Sequence, residues 1–131
     1  VQAGFVRTFE APDFDLEEKQ DDQLMLIRHL KERELPCPEC LPPGLKDLKG
    51  LGCRELVIDG IHGSLVCFQT AEDGVVHVLI FRRQDVSGNF PPMNNPEIVK
   101  SGKWTTASWE DADKVYLMMS NTMPCRMSQL F

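Results

Sequence analysis

The sequence predicts an α+β fold: an antiparallel β-meander of about five strands, with an N-terminal amphipathic helix and a short C-terminal helix packed on it. Three observations carry that expectation. A helical apolar stripe lies near the start, short apolar runs separated by Gly- and Asp-bearing turns fill the middle, and the 131 residues match one domain in size. Residues 1–131 are therefore read as a single globular domain. A chain of this length buries roughly two thirds of its unfolded surface and needs no metal or disulfide to fold.

Residues 1–20 read as an irregular acidic lead-in. Residues 1–36 hold nine acids against five bases, which is −4 of the net −6. Leu24, Ile27 and Leu30 recur at three-residue steps, with Leu26 on the face of Leu30, so a helix is expected over 21–34. Asp21 and Asp22 stand where carboxylates cap free N–H groups, and Arg28, Lys31 and Arg33 suit the opposite pole of the helix dipole. The acid run is thus a cap and a solvated face. Pro36, Pro38, Pro42, Pro43 and Gly44 then stop the helix and make 36–50 a rigid connector.

The sheet is expected over 51–120. Cys53 to Asp59 reads as the first strand, Asp59 to His62 as a turn, and Gly63 to Thr70 as the second strand. Asp73-Gly74 is a hairpin signal, and Val75 to Arg83 follows as the most apolar strand. Prolines and asparagines make 84–101 an irregular loop. Lys103 to Trp109 and Lys114 to Ser120 are read as the last two strands, around a turn at Glu110 to Asp113, and 124–131 as a short closing helix.

Composition excludes some classes. A net charge of −6 and a pI near 5.0 argue against a general nucleic-acid binder, which needs cations facing phosphate. No stretch approaches the ~20 apolar residues of a membrane-spanning helix, and no signal peptide is visible, so this piece reads as soluble. It opens at Val1 rather than methionine, as a mature form or a piece of something longer would.

Five cysteines are the chemically notable residues. Cys37-Pro38-Glu39-Cys40 has the spacing of a zinc chelate, a redox pair or a small disulfide. Its redox form resembles the active-site motif of glutaredoxins, yet here it follows a helix and leads into Leu-Pro-Pro-Gly instead of joining a strand to a helix N-terminus. A zinc site would need further ligands, from Cys53 or Cys67 with His62 or His77. No cofactor is called for. A three-residue hairpin loop about Gly60 would set Cys53 directly opposite Cys67; both also suit simple core packing. Cys125 is unassigned. His62-Gly63-Ser64 lacks the surroundings of a nucleophile elbow, His77 reads as a packed histidine, and Trp104, Trp109 and Tyr116 read as core. No catalytic set emerges.

Several stretches together form a pattern: Leu41-Pro42-Pro43-Gly44-Leu45, Leu51-Gly52-Cys53-Arg54, Leu65-Val66-Cys67-Phe68, Val76 to Phe81, Trp104 to Trp109 and Val115-Tyr116-Leu117. Taken together, from about Asp21 to Phe131, the chain resembles the extracytoplasmic domains of membrane-anchored anti-sigma-factor-like bacterial regulators. Such proteins join a cytoplasmic sigma-binding segment, often zinc-binding, through one transmembrane helix to an outer sensory domain. The resemblance implies a non-enzymatic sensory or protein-interaction domain on the periplasmic side of the inner membrane, with a protein partner or self-association. Contact with the membrane would come only through an anchor missing from this chain. It brings no catalytic residues, leaves Cys37 and Cys40 outside the pattern, and gives Cys53 and Cys67 a shared structural role, bonded or packed. Two other readings stand beside it: a thiol-redox or metal-binding module centred on Cys37 and Cys40, and a small ligand-binding or hydrolytic domain using the 84–101 loop.

Overall fold

The computed structural model describes residues 23–37, 43–45, 48–58, 60–69, 75–86, 88–93, 95–102, 104–111, 113–120 and 127. The acidic lead-in, Asp21 and Asp22, Cys40 and Cys125 lie outside the described residues, as does the expected closing helix apart from Met127, which is buried in the core.

Helix α1 covers Gln23–Glu32. Leu26 and Leu30, one turn apart, are fully buried, while Ile27 is half-buried and Met25 faces outward. Its end is built by a pair of backbone bonds. The Leu35 amide donates to the Leu30 carbonyl at 3.0 Å and the Glu34 amide to Lys31 at 3.0 Å, with Glu34 at a φ of 57°. That is the Schellman arrangement, with Glu34 in the left-handed position glycine usually takes. Leu35 and Leu30 complete it by sharing the same buried cluster.

Six strands follow: β1 Lys49–Ile58, β2 Ile61–Gln69, β3 Val75–Arg82, β4 Glu97–Ser101, β5 Trp104–Asp111 and β6 Lys114–Ser120. They form one sheet in the order β1-β2-β3-β6-β5-β4, antiparallel throughout. It consists of two three-stranded meanders joined where β3 meets β6. An antiparallel sheet with a helix is thus the architecture, with six strands where five were expected. The added strand is β4, inside the stretch read as irregular. The prolines end at Pro96, and Ile98 and Val99 beyond it are β-branched residues that pair with β5, closed by Gly102 at a φ of 60°.

The first hairpin is tighter than expected. Ile58 pairs with Ile61, leaving a two-residue loop with Gly60 at a φ of 81°, instead of a turn reaching His62. A bulge between Gly50 and Gly52 re-aims the start of β1.

Alternation along the strands sends side chains to two buried faces. The α1 face gathers Phe68, Val78, Ile80, Trp109, Tyr116 and Met118 with Leu26 and Leu30. The other gathers Leu56, Leu65, Leu79, Phe81, Leu117 and Met119 with Trp104. Strand β3 is buried on both sides, which is why its sequence is a nearly continuous apolar run. Among the described residues, no helix is long and apolar enough to cross a membrane.

Candidate functional site

The tight hairpin decides the fate of the cysteines. Moving the register by one residue sets Cys53 opposite Val66 and Cys67 opposite Gly52. A one-residue change also reverses the face, so Cys53 enters the α1-side core and Cys67 the other. Both are buried free thiols packed on separate faces, so the facing arrangement that a three-residue loop would give does not form.

Cys67 faces His77 across β2 and β3, with Sγ 3.1 Å from Nδ1. A cysteine beside a histidine can be a nucleophile with its base. Burial removes that chemistry here. Desolvation pushes the Cys67 thiol up to about 12, with a smaller contribution from Cys53, and pulls the His77 imidazole down to about 4. Both are neutral near pH 7, so the contact is a hydrogen bond between an uncharged thiol and an uncharged imidazole rather than an ion pair. The edge-on Trp104 ring, 6.1 Å away by centroid, completes this packed polar contact.

Cys37 belongs to the other face, packed against the α1-side core. It cannot join Cys67 and His77 around one metal, because the sheet lies between them. Among the described residues, no group of three or more potential ligands comes together. His62 is exposed and bonds Glu55 at 3.1 Å, whereas Ser64 is buried and donates to the Pro36 carbonyl, so these neighbours form no dyad. Trp109 and Tyr116, register partners, stack at 5.2 Å inside the core.

The loop after β3 is strapped down. Arg83 bonds the Glu110 carboxylate at 2.7 Å and the carbonyls of Val86 and Gly88, each at 2.6 Å, and its guanidinium lies over the Phe90 ring. The Glu110 amide donates to Pro91 at 2.8 Å. A cavity of about 920 Å³ opens at the root of this loop rather than within it. Lys31 and Cys37 at the end of α1, Arg82 and Arg83 at the end of β3, and Asp113 and Lys114 at the start of β6 line it. Among the described residues, four cations and one carboxylate line it, in a chain whose net charge is −6.

These cations converge. Lys31, Lys114 and Arg82 all act on the Cys37 thiol, favouring its ionised form, although burial outweighs them and raises its pKa overall. Sequence reasoning assigned Lys31 to the helix dipole and gave Arg82 and Lys114 no role. Their one visible signal was an Arg-Arg doublet closing the most apolar strand; the pairing of β3 with β6 is what joins it to Lys114.

No family model, curated protein or solved structure matches the chain.

Proposed function

We propose that this chain is a non-enzymatic sensory or protein-interaction domain of a membrane-bound, anti-sigma-like transcriptional regulator, placed on the extracytoplasmic side of the inner membrane. The observation that supports an interaction role is the open sheet. Among the described residues its outer strands are β1 and β4, and each carries an exposed valine, Val57 at 52% and Val99 at 45% exposure. Such an edge offers N–H and C=O groups to a strand from a partner or a second copy, with an apolar side chain beside them. The packed, neutral state of Cys67 and His77 is in keeping with a structural use of that Cys–His contact.

Sedimentation of the chain alone and with Val57→Lys or Val99→Lys tests the edge role. Concentration-dependent association weakened by one of the lysines is expected; identical behaviour of all three proteins counts against it. The regulator context is tested by the native gene, where a membrane span and a cytoplasmic sigma-binding segment upstream of Val1 are expected. A gene encoding neither would overturn it.

A further inference from the structure

We infer that Cys67, His77 and Met119 form a binding site for a soft monovalent metal ion, copper(I). The strand register brings the three together. One row of direct partners crosses the sheet as Gly52, Cys67, His77, Met119, Thr106 and Val99. Direct partners share a face, with Cβ atoms about 4.5–5.5 Å apart. Thiol, imidazole and thioether therefore stand side by side on the face away from α1, where Cys67 and Met119 belong to the same buried cluster. Among the described residues, thiols, imidazoles and carboxylates alone make no group of three, and the third donor here is the thioether.

The geometry needs little change to admit an ion. Cys67 Sγ and His77 Nδ1 are already 3.1 Å apart. A metal about 2.0 Å from nitrogen and 2.3 Å from sulfur, at a tetrahedral or trigonal angle, separates such a pair by about 3.5–3.7 Å. An opening of about half an ångström therefore suffices. Methionine is unbranched and flexible, so Met119 can bring its sulfur to the third position.

Burial and chemistry set the ion. Cys67, His77 and Met119 are 3%, 3% and 0% exposed, which keeps water and its competing oxygen ligands out. Thiolate and thioether select copper(I), whereas calcium and magnesium need oxygen ligands. Charge points the same way. As the ion enters, the thiol S–H bond breaks, an S–Cu bond forms and one proton passes to solvent, with no change of oxidation state. Thiolate and copper(I) then sum to zero, while a divalent ion would leave a net positive charge in a desolvated core. The same burial keeps the His77 imidazole uncharged near pH 7, as a metal ligand must be. This assignment goes beyond the regulator reading and does not rest on it.

Anaerobic titration of the reduced full chain with copper(I), buffered by a competing chelator, tests the site. Exposed thiols also bind copper(I), so the site is read by difference. The unmodified chain is expected to take up one equivalent more than Cys67→Ala or His77→Gln. Met119→Leu should weaken that equivalent by at least about tenfold, the scale on which even supporting groups act on metal affinity. Met118→Leu, the same exchange one position away in the α1-side core, should leave it nearly unchanged. Exchanging methionine for leucine conserves volume, so both variants keep the fold even if Cys67→Ala does not. Absence of the extra equivalent, or equal affinity in Met119→Leu and Met118→Leu, overturns the inference. Neither result touches the edge-strand reading, since sedimentation decides that separately.

Discussion

His77 and Cys67 show how a pair of reactive residues becomes structural. The imidazole is held neutral because charging it would place a cation in a desolvated core. Its folded pKa of about 4 lies below the ordinary 6.5, so between those values the unfolded chain binds more protons than the folded one. Stability is thus full above about pH 6.5 and falls as pH drops toward 4, by at most about 3 kcal/mol. Denaturation followed from pH 7 to pH 4 should show this slope, and His77→Gln should flatten it. At the alkaline end the thiol works in the opposite sense: its raised pKa withdraws stability only as pH climbs from 9 towards 12. Gly63 is a second residue whose identity is set by a neighbour. A Cβ there would meet the Phe81 ring at 2.5 Å and the Ile80 carbonyl oxygen at 2.9 Å. Gly63→Ala should cost about 1–3 kcal/mol in urea denaturation, because the ring and a central strand must both give way. An unchanged midpoint would show that the ring has room to move.

At the scale of elements, two joints carry most of the local design. The end of α1 places Glu34 in a left-handed conformation that costs a non-glycine residue about 1 kcal/mol. Glu34→Gly keeps the carbonyl that accepts from Arg82 and should raise the melting temperature by a few degrees. No change, or a fall, would mean that the Glu34 side chain contributes what its backbone loses. The second joint is Arg83, whose bonds to β5 and to its own loop hold 83–96 against the sheet. Arg83→Ala should lower stability by about 1–2 kcal/mol and speed hydrogen exchange at the Glu110 amide, which donates to Pro91. Unaltered exchange there would show that the loop docks without its arginine. The composition of that loop was legible, but its anchoring was not, because the arginine and its carboxylate stand 27 positions apart.

The whole molecule is organised around β3, which has one core on each face. Val78 belongs to the α1-side cluster and Leu79 to the other, and both are fully buried. Leu79→Ala should cost about 2–5 kcal/mol and Val78→Ala somewhat less, each lowering a single shared transition. Separate transitions for the two faces, resolved by calorimetry, would refute that coupling. The sequence by itself determined five of the six described strands, missing β4, together with the helix stripe and the burial of His77 and the tryptophans, because periodicity and turn chemistry are local. It also marked Asp59-Gly60 as a turn without revealing that the loop is two residues long. That single residue of register sent Cys53 and Cys67 to opposite faces. Only the tertiary structure decided that β3 lies against β6 rather than its neighbour in sequence, and hence that Arg82 meets Lys114 beside the end of α1. Strand order depends on which apolar faces bury together, a long-range free-energy balance that no local window contains, and the cationic cleft follows from it.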